Sequence, residues 1–399
     1  MRLKNIRNLA LGLALMAVVG AVGYKLGQRN QILPEGNQFD LSLMWKVRNA
    51  LTQDYLDKDK VADDKALTYG SIKGMVEALD DPYTMFLSPE ENKSANEDLA
   101  GSFAGVGISL GYKDKTLAAM SIIPKSPAEK AGIKAGDLIL KIVDKDNKVD
   151  KDTTGISLDE AVKLIRGKKG TDVTLNLYHE GKNGTFDVTL TRDDINVPGL
   201  EMEWKEVNGK KVAWIKFYKF SEQIFTEWPE IVNKIKNEKS NNYGGVVLDL
   251  RSNPGGYLQA SVMAASDFLS EGVVVTQASA DGTKQDYTVD KTRGNLVSDK
   301  LVVLINGGSA SASEILAGAL KDHGRAKLVG EKSFGKGTVQ ETKDFSDGSG
   351  LHITIAKWLL PSGKNIHKEG ITPDVEVKSG DDPNVDVQLN KAIEVLLGQ

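Results

Sequence analysis

The sequence predicts a mixed α/β protein of several domains, on three observations. A chain of 399 residues exceeds one ordinary domain and can form two or three, each with its own core. From Lys211 to about Val377, apolar strand runs alternate with helical periodicity, the order that builds an α/β layer. From about Phe103 to Arg192 the texture changes to short alternating strands, Gly-rich turns and one helix, which marks a separate β-rich domain.

Taken in order, the chain opens with Arg2, Lys4 and Arg7 ahead of an uninterrupted apolar and small-residue run from Leu9 to Tyr24, closed by Lys25 and Arg29. That is an export or anchor segment over residues 1–30. Its basic flank keeps the N-terminus in the cytoplasm and sends the rest of the chain across the membrane. The expectation is a single-pass cell-membrane anchor with an extracytoplasmic working part. Ala21-Val22-Gly23 offers the alternative of signal cleavage and a secreted or periplasmic product.

After the polar spacer Gln28 to Asn37, Leu41, Met44, Val47, Leu51 and Tyr55 recur at helical spacing. Leu67, Ile72, Met75, Val76 and Leu79 repeat the pattern up to Asp80-Asp81-Pro82-Tyr83, where proline breaks it. Residues 38–95 therefore read as a helical module. The β-rich domain spans 100–193. Its helix begins at Ser157 with Glu160 as a capping box, turns Leu158, Ala161, Val162 and Ile165 to one face, and stops at Gly167.

The α/β domain spans 200–378. Its order is strand 212–217, helix 222–236, strand 245–250, helix 258–268, strand 301–305 and helix 311–321, then strands 327–330, 338–343 and 351–358. Residues 379–399 hold a connector, Ser379 to Asn384, and a final helix from Val385 to Leu397.

A net charge of −4, with no long basic cluster beyond the first residues, argues against nucleic acid as a partner. Cysteine is absent, so disulfides, thiolate nucleophiles and cysteine metal sites are excluded. The four histidines, His179, His323, His352 and His367, form no ligand-like pair, and neither a metal nor a cofactor is expected.

The chemistry concentrates in two segments. The apolar strand Leu301 to Ile305 runs through Asn306-Gly307-Gly308 to Ser309, Ser311 and Ser313 and the start of a helix. A serine there meets free backbone N–H groups and the positive end of the helix dipole, with the N–H of Ala312 as one oxyanion donor. Serines at such turns are commonly helix caps, and any of the three can be one.

The second segment is Phe334-Gly335-Lys336-Gly337-Thr338-Val339-Gln340. A lysine held in an apolar pocket loses its proton readily and then serves as the base for a serine nucleophile. Gly330 to Lys336 also fits Gly-x4-Gly-Lys of a phosphate-binding loop. Gly337 stands where that loop needs Ser or Thr, which disfavours nucleotide binding. A third segment, Val246 to Gly256, ends a buried strand in Pro254-Gly255-Gly256, whose N–H groups can complete an oxyanion hole.

Together these segments resemble the carboxyl-terminal processing (tail-specific) proteases, serine peptidases with a Ser-Lys dyad and an inserted PDZ domain. Nearly the whole chain carries the likeness. It includes Leu79 to Tyr83, Leu87 to Glu91, Ser126 to Asp137, Leu248 to Gly256, Ser309 to Glu314, Gly335 to Gln340 and Gly370 to Asp374.

The resemblance implies a peptidase core similar to the crotonase and Clp-protease ββα architecture, with residues 100–193 as the PDZ domain. It implies Ser311 as nucleophile, Lys336 as general base, Gln340 as the group orienting the lysine, and Ala312 with Gly255 or Gly256 as oxyanion donors. Gly105-Val106-Gly107-Ile108 looks like the PDZ carboxylate-binding loop, and Arg166 is the candidate for reporting its occupancy to the core. The expected partners are protein substrates with apolar C-termini and the membrane. An adaptor protein and a second copy of the chain are further candidates. The rival of a different class, a catalytically silent PDZ scaffold, has no use for a serine and a lysine so placed.

Overall fold

The computed structural model describes residues 40–123, 125–179, 181, 184–238, 242–380, 382 and 385–398. The expected anchor of residues 1–30 lies outside them, as does part of the connector Ser379 to Asn384. Among the described residues no helix is long and apolar enough to cross a membrane.

The chain divides into two compact units, Met1–Ser71 and Ile72–Gln399. The first holds α1 (Ser42–Asp54), α2 (Lys58–Ala62) and the start of α3 (Asp64–Glu77). Asp57 caps α2 by accepting from the Lys60 N–H, and Arg48 of α1 pairs with Asp64. Leu41, Met44, Val47, Leu51 and Tyr55, whose spacing predicts the first helix, are all exposed.

In the second unit β1 (Met85–Leu87) and α4 (Pro89–Ala100) come first. Ser88 and Glu91 close a reciprocal capping box, and Pro89 occupies the first turn, where its missing N–H costs nothing. The β-rich domain then contains β2 (Ser102–Gly105), β3 (Ile108–Lys113), β4 (Thr116–Ile122), α5 (Pro127–Lys130), β5 (Leu138–Asp144), β6 (Val149–Asp152), α6 (Leu158–Ile165), β7 (Asp172–Tyr178), β8 (Phe186–Thr191) and β9 (Asp193–Asn196).

Its sheet runs β3-β4-β5-β7-β8 with β6 added to β5, while β2 and β9 pair by themselves at the mouth of the domain. Leu117, Ile139, Ile142, Ala161, Leu175 and Leu177 fill a core of its own. Ser157 caps α6 through the Glu160 N–H at 3.2 Å, but the Glu160 carboxylate turns to Lys151 at 3.0 Å instead of closing the box.

The helix ends at Arg166 in extended conformation, so Gly167 is not a left-handed cap. A side chain at Gly167 would meet the buried Arg192 guanidinium at 2.7 Å, so close approach is what requires glycine there.

The α/β domain contains β10 (Leu200–Val207), β11 (Lys210–Phe217), α7 (Ile224–Glu238), β12 (Tyr243–Asp249), α8 (Leu258–Phe268), β13 (Val273–Ser279), β14 (Lys284–Thr288), β15 (Leu301–Ile305), α9 (Ala312–Asp322), β16 (Lys327–Gly330), β17 (Thr338–Asp344), β18 (Gly350–Leu359), β19 (Val375–Glu376) and α10 (Val387–Leu397). The main sheet is ordered β10-β11-β12-β15-β16-β19, parallel from β11 onward with β10 antiparallel at its edge.

Its central strands read as continuous apolar runs because both faces are covered. Val246 and Leu248 join the cluster of α7, α8 and α9, whereas Val247, Val302 and Leu304 pack against Leu389, Ala392 and Ile393 of α10. A second sheet, β1-β18-β13-β14 with β17 on β18, contributes Trp358, Val274 and Val275 to the first cluster. Residues 85–87 thus pair with β18, Phe86 opposite Leu351. The carboxyl ends of β12 and β15, where α/β sheets present their ligand sites, lead directly into residues 250–257 and 306–311.

Candidate active site

Ser311 stands between β15 and α9 with φ 56° and ψ −117°. That conformation costs a non-glycine residue about 1–3 kcal/mol and persists only where the surroundings enforce it. The enforcing bonds are visible. The buried Ser309 donates its hydroxyl to the Leu250 carbonyl at 2.8 Å, and the buried Ser313 donates to the Asn253 carbonyl at 2.9 Å. Two of the three serines are therefore spent on stitching the turn to the 250–257 loop. Ser311 is the one whose hydroxyl proton goes to no described residue, while its N–H donates to Glu314 Oε2 at 2.9 Å.

The 250–257 loop lies against the serine. Gly255 has φ +98°, and a Cβ there would sit 2.7 Å from the Ser311 Cβ and 2.9 Å from the Ala312 nitrogen, so no side chain fits. Its N–H is taken by Asn253 Oδ1 at 2.9 Å, and its carbonyl accepts from the Phe220 N–H at 2.9 Å. Across that trans peptide the Gly256 N–H points away from Phe220, and it has no partner among the described residues. The Ala312 N–H, in the first turn of α9, is also without one.

Lys336 precedes β17. Its N–H donates to Glu314 Oε2 at 2.9 Å, the same oxygen that holds the Ser311 N–H. Its amine lies 5.1 Å from the centre of the Tyr83 ring and makes no hydrogen bond to the Ser311 hydroxyl. Burial pushes the Lys336 pKa down from 10.5, against the opposing charges of Asp81 and Glu314. Burial pushes the Tyr83 hydroxyl up, with Glu314 and Asp81 adding to it.

Burial alone would raise the Asp81 carboxyl, but hydrogen bonds from Thr354, Thr84 and the Tyr83 N–H outweigh it and hold the pKa below the ordinary value. His352 is pushed down by burial and then by the Lys336 charge. His367 stacks edge-on to Tyr83 at 6.3 Å, and its Nδ1 is buried without a partner among the described residues.

The amide nitrogen of Gln340 donates to Thr338 Oγ1 at 3.0 Å and to Thr354 Oγ1 at 3.1 Å. It thus reaches Asp81 through Thr354 and makes no hydrogen bond to Lys336. In the β-rich domain the Val106 and Gly107 carbonyls accept from Ala128 and Ile123, both at 2.9 Å, and the N–H groups of Val106 and Gly107 have no partner among the described residues. Gly105 ends β2 and Ile108 starts β3, so unpaired donors line the gap between two strands. The Arg166 guanidinium lies 4.1 Å from the centre of the Phe103 ring, beside this loop.

Three residues that the sequence reading left without a role belong to the constellation: Asp81, Tyr83 and Glu314. The spacing Ser311-x-x-Glu314 was a sequence signal for the last, since it is the form of a capping box. Asp81 and Tyr83 lie in the Leu79 to Tyr83 stretch, which carried a helix-break signal and part of the family likeness but no site role, and pairing of β1 with β18 is what delivers them. Among the described residues no cluster of acidic or histidine side chains can hold a metal ion.

Residues 211–377 match the model of peptidase family S41, and residues 104–190 match a PDZ domain. The chain is 39% identical over 337 residues to the carboxy-terminal processing protease CtpA of Bacillus subtilis (strain 168), across 84% of this chain and 68% of that protein. A probable CtpA-like serine protease of Staphylococcus aureus (strain COL) is 38% identical over 363 residues, with 90% and 70% covered.

Among solved structures, the photosystem II D1 C-terminal processing protease superposes with a TM-score of 0.53 at 30% identity, over 90% of this chain and 98% of that one. The putative S41 protease from Bacteroides fragilis NCTC 9343, with a TM-score of 0.56 at 18% identity over 92% and 99%, shares the fold.

Proposed function

Because the chain belongs to peptidase family S41 and is a serine-type carboxy-terminal processing peptidase with a PDZ domain, we propose that it cuts with a Ser311–Lys336 dyad. Its substrates are proteins whose apolar C-terminal tails the PDZ domain holds, and it works on the extracytoplasmic side of a membrane. The observation that carries the dyad is the shared carboxylate oxygen. One atom of Glu314 accepts from both the Ser311 and the Lys336 N–H, which keeps the two backbone nitrogens within about 6 Å of each other.

In this reading the neutral Lys336 amine swings off the Tyr83 ring and takes the Ser311 hydroxyl proton as Oγ attacks the scissile carbonyl. The carbonyl electron pair moves to oxygen, where the Ala312 N–H and the Gly256 N–H stabilise it. Gly256 is favoured over Gly255 because the Gly255 N–H is already bound by Asn253. The ammonium returns its proton to the leaving amine, and water then cleaves the acyl-enzyme by the same route in reverse. Gln340 acts on the lysine surroundings through Thr354 and Asp81.

The tail enters as a strand beside β3, with its carboxylate on the N–H groups of residues 105–108 and Arg166 alongside. Residues 100–193 and 200–378 serve as the two working domains. The basic residues before the Leu9–Tyr24 run support a single-pass anchor, and Ala21-Val22-Gly23 supports a cleaved, secreted or periplasmic form as the second reading.

The test is cleavage of casein by the purified protein. Ser311→Ala and Lys336→Ala are each expected to lower kcat by at least about a hundredfold with circular dichroism unchanged. Retained cleavage in either folded variant refutes the dyad.

A further inference from the structure

Glu314 is completely buried, on the first turn of α9, and its carboxylate accepts four hydrogen bonds from three places in the chain. Oε1 takes the Ser333 hydroxyl at 2.6 Å and the Gly335 N–H at 2.7 Å; Oε2 takes the Ser311 and Lys336 N–H groups, both at 2.9 Å. Ser333 in turn accepts from the Ile371 N–H at 2.7 Å, which extends the clamp to the segment before β19. A buried carboxylate ordinarily needs a cation or a full set of donors to offset its lost hydration. Here the donors are supplied almost entirely by the backbone on either side of the two reacting residues.

We propose that Glu314 is the positioning residue of the dyad: it holds the Ser311 turn in its strained conformation, holds the Lys336 segment on the same oxygen, and is the fixed counter-charge for the ammonium formed when Lys336 takes the serine proton. The inference rests on the Ser311–Lys336 reading and adds to it a residue with no proton to transfer. Two of its consequences are separable. As a clamp, Glu314 sets the distance between the two segments, which a residue of different length alters even if it keeps the charge. As a charge, it favours the protonated amine, which an uncharged residue of the same length removes.

The other groups near the amine are Asp81 and Tyr83 from the segment before β1 and His352 on β18, with His367 packed edge-on to the Tyr83 ring. Asp81 supports the ammonium by its charge and the Tyr83 ring by its π face, so Asp81 is the one carboxylate among them. Losing Glu314 therefore leaves one carboxylate where there were two, and the amine deprotonates at lower pH.

The experiment uses the purified full chain, with casein cleavage for kcat and KM and the rate of labelling by a serine-directed fluorophosphonate as a function of pH. Glu314→Gln is expected to lower kcat about a hundredfold with KM within about twofold, the size of effect that a small misplacement of reacting groups produces. Its acid limb in the labelling profile should move to lower pH. Glu314→Asp, which keeps the charge and shortens the reach, is expected to lose kcat with the limb unmoved.

A folded Glu314→Gln variant whose limb stays where it is overturns the counter-charge, and wild-type kcat in Glu314→Asp overturns the clamp. Should Glu314→Gln fail to fold, the kcat of Glu314→Asp decides the positioning role. Activity surviving in Ser311→Ala or Lys336→Ala would remove the dyad itself and is read separately from both.

Discussion

Lys336 is held where its charge is unwelcome, and this has an energetic signature that can be measured apart from catalysis. Its native pKa lies below the ordinary 10.5 because burial outweighs the charges of Asp81 and Glu314. Between the native value and 10.5 the unfolded chain binds more protons than the native one, so in that window this residue makes stability rise with pH. Below the native value the penalty is constant. Replacing the amine with an apolar side chain of similar length removes the penalty.

Lys336→Met should accordingly abolish cleavage and raise Tm at pH 7, and the gain should shrink as the pH approaches 10.5. Scanning calorimetry across that range checks it, and an unchanged or lower Tm at pH 7 would mean that the neighbouring carboxylates dominate over burial. In the proposed dyad the neutral amine is the working form, so cleavage should rise with pH through the native pKa.

At the scale of elements, the site is an arrangement of strand ends. Segment 218–223 links the PDZ domain to the glycine loop of the site. Tyr218 and Lys219 donate to the Gly199 carbonyl, Gln223 holds the Gly101 carbonyl at 3.0 Å, and Phe220 is bridged to Gly256. Both linkers of the PDZ domain are thus fastened to the exit of β11, which is bridged to the glycine loop packed on Ser311.

A Cβ at Gly255 has nowhere to go, because the Ser311 Cβ and the Ala312 nitrogen already occupy the space. Gly255→Ala is expected to lower kcat by about a hundredfold through displacement of Ser311 and Ala312, and to cost about 1–3 kcal/mol of stability through its positive φ. Casein kinetics together with a urea midpoint measure both. A variant normal in each would mean that this loop does not press on the nucleophile.

Helix and strand limits in this region were legible in the sequence to within a few residues. Strands 301–305 and 327–330 and helix 258–268 coincide with β15, β16 and α8, while the helix expected at 222–236 begins two residues later as α7. Apolar runs and turn residues are local signals. The strands β1, β10, β13 and β14 were not read: β1 is three residues long, β14 is mostly exposed, and β10 and β13 are set by their pairing with β11 and with β14 and β18.

For the whole molecule, the second unit contains separate apolar cores, one in the PDZ domain and two on opposite faces of the main sheet. The PDZ core is fastened at its exit by Arg192, fully buried and bonded to Asp144 at 2.7 Å, to the carbonyls of Ile165, Leu164 and Asp172, and to the Thr171 hydroxyl. Removing one partner of a buried pair costs about 3–5 kcal/mol, mostly as the charge left behind.

Arg192→Ala should therefore bring down a PDZ transition in calorimetry and leave the melting of the peptidase core near its original temperature. One cooperative transition that shifts as a whole would show instead that the linkers at Gly101 and Gly199 couple the two cores into one unit.

The sequence by itself determined the class of the protein and, through its family likeness, pointed to Ser311 as the proposed nucleophile. Periodicity, turn residues and the spacing of the Ser311 and Lys336 segments are properties of neighbouring residues, and they survive without coordinates. It also held Glu314 in plain view as half of a capping box.

Only the tertiary structure decided what surrounds the proposed dyad. The sheet brings Asp81 and Tyr83 to Lys336, commits Ser309 and Ser313 to the adjoining loop, binds the Gly255 N–H while leaving that of Gly256, and closes four donors on one carboxylate. Those facts depend on which strands pair and which faces are covered. Desolvation and hydrogen-bond competition act through space, and no local pattern along the chain records them.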